Sequence, residues 1–130
     1  MKIINTGLHG WLDYIAGIIQ ITGPFIGGLH YETPEALVPL VLGIFLIIYS
    51  LFTDYEHSLV KKIPMHAHLK LDGIAALLLG FSPWVFGFAK ELRWPYIVMA
   101  IVEVIIILLS KRKRESIIDI IKQKYYGIRK

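Results

Sequence analysis

The most constraining feature of this sequence is a repeat, because a segment near the start recurs 59 residues later. The two copies align without a gap. Identical residues occupy the pairs His9/His68, Leu12/Leu71, Asp13/Asp72, Ile15/Ile74, Ala16/Ala75, Pro24/Pro83 and Gly28/Gly87. Self-similarity at a fixed spacing indicates one structural unit used twice. We therefore expect two copies of one fold unit within the 130 residues.

The composition predicts that both units lie in a membrane. Hydrophobic residues make up 55% of the chain and its mean hydropathy is +0.59, which exceeds what a small soluble domain needs. A spanning helix requires about 20 mostly apolar residues, and its backbone must satisfy its own hydrogen bonds in lipid. Four segments meet this description and are predicted to be transmembrane helices, at about 11–29, 36–53, 71–89 and 95–110.

Two helices per repeat give both repeats the same direction through the membrane, as parallel repeats have. The predicted fold class is all-α: a four-transmembrane-helix bundle made of two parallel two-helix repeats, followed by a C-terminal basic amphipathic helix. The membrane domain covers 1–110, with repeats at about 5–58 and 64–110, and 111–130 form a cytoplasmic tail. Asn5 or Thr6 is expected to cap the first helix. Prolines mark the starts of the other three, at Pro34, Pro64 and Pro95.

The distribution of charge predicts the orientation. With both termini and the central loop inside, twelve of the fourteen Lys and Arg residues are cytoplasmic, and only Lys90 and Arg93 are outside. Cytoplasmic loops carry the excess of these residues. The expected location is the cell membrane, crossed several times, with both termini cytoplasmic. The first apolar segment lacks the small-residue pattern of a cleaved signal peptide, so we expect it to be retained.

A short motif inside the second repeat adds a family resemblance. Ser82-Pro83-Trp84 lies within the first helix of its two-helix unit, and the first repeat has Gly23-Pro24-Phe25 at the same place. Together with the surrounding Leu-Asp, Gly and Pro pattern, it resembles the SPW-repeat family of small membrane proteins over about residues 6–110. The resemblance implies a unit of two transmembrane helices with this tripeptide in the first, and it implies no biochemical activity.

The two prolines of this motif predict kinks. A proline inside a helix removes one backbone hydrogen bond and bends the axis, and Ser82 and Thr22 are near enough to satisfy the freed carbonyls. Trp84 and Phe25 are expected at the outer interface, where aromatic rings anchor well. Kink and anchor roles are therefore expected for Pro24, Phe25, Ser82, Pro83 and Trp84, and a ligand-gated hinge is the alternative.

The first and third predicted helices contain several residues with small side chains or none. They are Ala16, Gly17, Gly23 and Gly27 in the first helix, and Gly73, Gly80 and Gly87 in the third. Small residues allow membrane helices to approach closely and gain van der Waals contact. We therefore expect the first and third helices to pack centrally, about the axis that relates the repeats.

Two His–Asp pairs are the best candidates for chemistry. His9 and Asp13, like His68 and Asp72, are spaced i, i+4, which puts both side chains on one helix face. Other polar residues are expected near them, namely Gln20, Ser50, Thr53, Asp54 and His57. Such a cluster can pass a proton or bind a divalent transition metal, but hydrogen bonds that join helices are the preferred interpretation. No metal is assigned, and His66 adds only a weak possible ligand.

Glu103 is a further candidate because it lies near the middle of the fourth apolar segment. An ionised side chain there costs several kcal/mol. A protonated carboxyl that hydrogen-bonds to a neighbouring helix or protomer is the preferred interpretation. Translocation of a proton or a cation is the alternative.

The tail begins with a basic cluster directly after the fourth segment. This basic cluster consists of Lys111, Arg112, Lys113 and Arg114. Such a cluster attracts anionic lipid at roughly 1 kcal/mol per residue. Ser116 and Asp119 have the spacing of a helix start, and Ile117, Ile121 and Tyr125 form an apolar stripe. We predict a basic amphipathic helix that lies in the membrane interface or docks on the protein's own cytoplasmic face.

The absence of other motifs limits the function classes. The chain has no cysteine, which excludes a disulfide framework, a thiol nucleophile and a thiolate zinc site. No phosphate-binding loop, Ser/His/Asp signature or HExxH motif is present, so neither an enzyme nor a cofactor is predicted. The leading expectation is a small membrane interaction or scaffold protein that engages anionic lipid or a small-protein partner, and that forms homo-oligomers without binding nucleic acid. The alternative is a small proton or ion transporter or channel that uses the intramembrane carboxylates and the His–Asp pairs.

Overall fold

The computed structural model describes residues 2–127, and Met1 and the last three residues of the predicted tail lie outside that range. The described residues are all-α, with two isolated backbone bridges and no strand. The helices are α1 (Thr6–Ile26), α2 (Pro34–Leu51), α3 (Met65–Val85), α4 (Trp94–Leu109) and α5 (Ile117–Tyr126). The all-α class is thus confirmed. Helices α1 and α3 begin several residues before the apolar segments from which they were predicted.

The ends of the helices follow from local chemistry. Asn5 caps α1, because its side-chain oxygen accepts the Leu8 N–H at 2.8 Å. Pro34 occupies the first helical position of α2, where its missing N–H costs nothing. Pro64 is the N-cap residue of α3 instead of lying in its first turn as predicted, since its extended backbone precedes the helix.

The helices form two hairpins that point the same way. Helix α1 packs along α2, and α3 packs along α4. At one end of the molecule the chain just before α1 bridges to the end of α4, through Ile4 and Ser110. The chain just before α3 bridges to the end of α2, through Ile63 and Thr53. The chain just before the first helix of each hairpin is therefore bridged to the end of the second helix of the other hairpin.

The two bridges are equivalent in detail. Ile4 donates to Leu109 O at 2.9 Å and accepts from Lys111 N at 2.8 Å. Ile63 donates to Phe52 O at 2.7 Å and accepts from Asp54 N at 2.7 Å. At the other end of the molecule, Gly28 and Gly87 both have a φ of 79°, a conformation that glycine adopts without a steric penalty. The backbone before, between and after the two helices therefore follows an equivalent course in both hairpins.

The small residues mediate contacts within each hairpin, which corrects the expected packing of α1 against α3. A Cβ added to Gly43 in α2 would meet the Gly17 carbonyl oxygen of α1 at 2.8 Å. A Cβ added to Gly80 in α3 would meet the Ala100 Cβ of α4 at 3.0 Å, whereas Gly73 faces open space. Helices α1 and α3 meet instead through long polar side chains.

Polar residues are buried and large apolar residues are exposed along the four long helices. The buried polar set is Thr6, His9, Asp13, Gln20, Ser50, Thr53, His68, Asp72, Ser82 and Ser110. The exposed apolar set includes Ile18, Phe45, Leu77, Phe81, Ile101 and Leu108. Helix α2 is long and apolar enough to cross a membrane, and α4 is apolar but shorter.

Candidate functional site

The structure brings the two predicted His–Asp pairs together into one buried group, the His–Asp cluster of His9, Asp13, His68 and Asp72. Helix α1 supplies the first pair and α3 the second, each near the helix N-terminus. All four residues are at most 6% exposed. The spacing i, i+4 turns both members of a pair toward the other helix, so the four side chains meet between the two hairpins.

Each imidazole contacts both carboxylates through its Nε2 atom. His68 Nε2 lies 2.8 Å from Asp13 and 3.2 Å from Asp72. His9 Nε2 lies 3.1 Å from Asp72 and 3.2 Å from Asp13. Both rings therefore link their own hairpin to the other one, and the ring centroids are 5.3 Å apart in an edge-on arrangement.

The second nitrogen of each ring is held by a hydroxyl from the end of a neighbouring helix. His9 Nδ1 lies 2.7 Å from Ser110 Oγ, and Ser110 Oγ donates to Ile106 O at 2.6 Å. His68 Nδ1 lies 2.7 Å from Thr53 Oγ1, and Thr53 Oγ1 donates to Tyr49 O at 2.7 Å. A hydroxyl has one proton, and the carbonyl takes it. We infer that Nδ1–H is the donor in both rings, so Nε2 is the atom presented to the carboxylates.

Two tyrosines complete the surroundings of the carboxylates. Tyr49 donates to Asp72 Oδ1 at 2.7 Å, and the Tyr55 hydroxyl lies 3.4 Å from Asp13 Oδ2. Burial, and then the nearby Asp13 charge, raise the pKa of Tyr55 above its usual range, so this phenol stays protonated and can donate. Gly10 makes room for it, because a Cβ there would meet the Tyr55 ring at 2.8 Å.

Glu103 is bonded to α1. Its Oε1 atom accepts a hydrogen bond from Gln20 Nε2 at 2.5 Å, as the preferred interpretation of a partner on a neighbouring helix requires. A cavity of about 20 Å³ separates Glu103 from Asp13 and Asp72. That is enough space for one water molecule. Glu103 thus lies beside the His–Asp cluster without contacting it.

The remaining polar residues expected near the cluster divide into two groups. Ser50 lies at its edge, 3.5 Å from Asp13. Asp54 lies outside and pairs with Arg114 at 3.2 Å, and His57 lies against the Trp11 ring. His66 is exposed, in agreement with its weak standing as a ligand.

At the kink sites, one of the two expected side-chain caps forms. Pro83 removes the N–H that would bond to Leu79 O, and Ser82 Oγ donates to this carbonyl at 2.7 Å. Thr22 instead donates to Ile18 O at 2.7 Å, which is not the carbonyl that Pro24 frees. Trp84 and Phe25 are exposed near the ends of their helices, as an anchor requires.

The predicted tail helix forms as α5. The Ser116 hydroxyl accepts the Asp119 N–H at 3.1 Å, and the Asp119 carboxylate accepts the Ser116 backbone N–H at 3.4 Å, which together make a capping box. Two cations of the basic cluster are held in exposed ion pairs, Lys111 with Glu115 at 2.6 Å and Arg114 with Asp54 at 3.2 Å. Arg112 and Lys113 are exposed.

Sequence reasoning missed Ser110 and Tyr49 as members of this site. Ser110 could have been found, because Thr53 and Ser110 are 57 residues apart and both follow the second helix of a repeat. That spacing differs from the 59 residues of the first helices, so an alignment without gaps hides the equivalence. Tyr49 has no polar counterpart in the second repeat, where Ile106 follows at the same spacing.

Comparison with known proteins supports the family resemblance that the Ser82-Pro83-Trp84 tripeptide indicated. No curated protein and no solved structure matches the chain. A model of the SPW repeat domain matches residues 7–110, which include all four long helices and the His–Asp cluster but exclude α5. The chain therefore belongs to the SPW repeat domain family.

Proposed function

We propose that this chain is a small, non-enzymatic integral membrane protein whose C-terminal helix binds anionic lipid headgroups at the cytoplasmic face. The membrane assignment rests on the reversed burial pattern of the four long helices, whose apolar side chains point outward while their polar side chains are buried. Water disfavours such an exposed apolar surface, and a bilayer covers it. In this proposal α1 to α4 all cross the membrane, although α1 and α3 carry polar residues.

The same proposal includes duplication and orientation. The equivalent bridges, ring contacts and glycine turns support an origin by internal duplication, in which one two-helix unit was copied. The end of the molecule that holds both bridges also carries Lys2, Lys61, Lys62, Lys70 and the basic cluster. The excess of cations favours the cytoplasm for this end.

The observation that carries the lipid-binding role is the exposure of α5. Ile117 and Ile118 are 76% and 65% exposed, and Tyr125 is 72% exposed, so the apolar stripe is not covered by the rest of the protein. Residues 111–127 contain six Lys or Arg residues and two acidic residues. A helix with an uncovered apolar stripe and surplus cations suits the interface of an anionic bilayer.

The test places the full-length protein in nanodiscs, with or without anionic lipid. The chain has no cysteine, so Ile118→Cys introduces a single site for a polarity-sensitive fluorophore. We expect the emission to shift to the blue only in anionic nanodiscs. The shift should weaken when Arg112→Gln and Lys113→Gln are combined, because each cation contributes roughly 1 kcal/mol near the surface.

The matched control is the double variant Lys61→Gln/Lys62→Gln. It removes the same charge from the same end of the molecule, outside the tail. If this control weakens the shift as much as the tail variant does, general surface charge explains the binding. An equal shift in neutral and anionic nanodiscs would also refute a headgroup-specific role.

A second candidate function, proton or ion translocation, is favoured by the arrangement of cavities. A cavity of about 300 Å³, lined by Pro24, Pro39 and Tyr96 among others, reaches Gln20 from the end opposite the bridges. Gln20 also lines the small cavity shared by Glu103 and the His–Asp cluster. Polar groups that follow one another along a bundle interior are typical of ion pathways.

Proteoliposome flux measurements test this candidate. Under the translocation hypothesis, Glu103→Gln reduces proton or cation flux, and so does the combination of Asp13→Asn with Asp72→Asn. Glu32→Gln, in the loop between α1 and α2, is the control carboxylate. Flux that equals the background of empty vesicles, or that is unchanged in these variants, would leave lipid engagement as the better account.

A further inference from the structure

We propose that the His–Asp cluster is a binding site for one divalent transition-metal ion. Its four protein ligands are Nε2 of His9, Nε2 of His68, and one carboxylate oxygen each from Asp13 and Asp72. These donor atoms all lie within 4.8 Å of one another, and all four residues are buried. The site is separate from the lipid-binding tail, so either proposal can fail without the other.

The distances fit a four-coordinate ion. Nitrogen and oxygen ligands bind Zn²⁺ at about 2.0–2.2 Å in tetrahedral sites, which places neighbouring ligand atoms about 3.4 Å apart. Asp72 Oδ2 lies 3.1 Å from His9 Nε2 and 3.2 Å from His68 Nε2. Asp13 faces the two rings with different oxygens, Oδ1 at 3.2 Å from His9 Nε2 and Oδ2 at 2.8 Å from His68 Nε2. A small outward movement of the side chains, with a turn of the Asp13 carboxylate, would bring both Nε2 atoms and one oxygen of each aspartate to a common ion.

The surroundings orient the ligand atoms. In metal sites, a ligating histidine usually donates its second ring N–H to a fixed acceptor, which settles the ring orientation. Ser110 and Thr53 play this part for His9 and His68 at 2.7 Å. Tyr49 likewise holds the Asp72 carboxylate from outside, at 2.7 Å.

The charge of the site also fits a divalent ion. Two buried carboxylates must be neutralised, since an unpaired buried charge is costly. One divalent cation together with two neutral imidazoles gives a net charge of zero. The adjoining cavity of about 20 Å³ leaves room for one water molecule next to the ion.

The donor set selects the class of metal. Imidazole nitrogen suits Zn²⁺, Ni²⁺ and other transition metals, whereas Mg²⁺ and Ca²⁺ take oxygen ligands almost exclusively. Two nitrogens and two carboxylate oxygens in a compact arrangement therefore favour Zn²⁺ or Co²⁺ over Mg²⁺.

The experiment uses the purified full-length protein in detergent, stripped with a chelator and titrated with Co²⁺ or Zn²⁺. We expect one ion per chain, the visible absorption of four-coordinate Co²⁺, and a higher unfolding temperature with Zn²⁺ but not with Mg²⁺. Asp72→Asn and His9→Gln should each weaken binding by at least tenfold. His66→Gln and Glu115→Gln are the matched controls, because they remove an exposed histidine and an exposed carboxylate.

Thr53→Val is a second probe that keeps all four ligands. It removes the hydroxyl partner of His68 Nδ1 and should weaken Zn²⁺ binding by about 10- to 100-fold. If the ligand variants fail to fold, the Zn²⁺ affinity of Thr53→Val tests the proposed metal site in their place. The proposal is overturned if the wild-type protein binds no more Co²⁺ than Asp72→Asn does. It is also overturned if His66→Gln weakens binding as much as His9→Gln does. If the ligand variants do not fold, a folded Thr53→Val that binds with unchanged affinity overturns it.

Discussion

Single side-chain hydroxyl and carboxyl groups provide hydrogen bonds for polar atoms inside this protein. Pro83 frees the Leu79 carbonyl inside α3, and the Ser82 hydroxyl takes the place of the missing N–H. Gln20 Nε2 donates to Glu103 Oε1 between α1 and α4. In each case one side-chain atom provides a bond that the helix backbone or the lipid cannot provide.

Removal of the Ser82 hydroxyl should destabilise the fold only while Pro83 is present. We expect Ser82→Ala to lower the free energy of unfolding by roughly 0.5–1.5 kcal/mol, because the Leu79 carbonyl loses its partner. In a Pro83→Ala background the backbone N–H of residue 83 returns, so the same substitution should cost clearly less. Unfolding in detergent, followed by circular dichroism, measures both values. Equal costs in the two backgrounds would show that the hydroxyl acts elsewhere.

The pairing of Gln20 with Glu103 leads to a second residue-scale prediction. Glu103→Leu should cost roughly 1–3 kcal/mol of stability, because the buried Gln20 amide is left without its acceptor. Glu103→Gln keeps an acceptor oxygen and should cost less. The double variant Gln20→Leu/Glu103→Leu should recover much of the loss, since both polar groups are then gone. Thermal unfolding of the four proteins tests this order, and a double variant less stable than Glu103→Leu contradicts it.

At the scale of the helices, glycine positions control how closely the two members of a hairpin approach. Gly43→Ala should cost about 1–3 kcal/mol, because the new Cβ would lie 2.8 Å from the Gly17 carbonyl oxygen. Gly73→Ala is the matched control on α3, where no atom lies within 4 Å of the added Cβ, and it should be neutral or slightly stabilising. Unfolding midpoints in detergent compare the two. If Gly43→Ala and Gly73→Ala lost similar stability, α1 and α2 would not be as closely packed at Gly43 as the 2.8 Å distance indicates.

Much of this arrangement is predictable from the sequence, and the failures have physical reasons. The apolar segments and the capping residues Asn5 and Ser116 predicted helices that the structure contains. The repeat, combined with the i, i+4 spacing, singled out the four members of the His–Asp cluster. The predicted partner helix was wrong for Gly17 and Gly80, because a small residue shows that a helix can be approached closely and not which helix approaches it.

At the scale of the whole molecule, the proposed orientation in the membrane rests on the uneven distribution of charge. Lys62 and Lys90 lie at opposite ends of the bundle and are both exposed. We expect a membrane-impermeant thiol reagent to label Lys90→Cys in intact cells and Lys62→Cys only after the membrane is opened. The natural chain has no cysteine, so the background is clean. Labelling of both sites from one side would refute the proposed four-helix crossing with parallel hairpins.

If the hairpins cross the membrane as proposed, the two bridges between them have a consequence for biosynthesis. Ile4 is synthesised more than a hundred residues before its partner Ser110, so this bridge cannot form until the second hairpin has been inserted. Until then His9 and Asp13 have no companions from α3, and a truncated product ending after α2 would keep them exposed to lipid. Such a half-length chain could satisfy these groups by associating with another copy of itself. Under the proposed internal duplication, the ancestral single hairpin would have formed a twofold dimer of this kind.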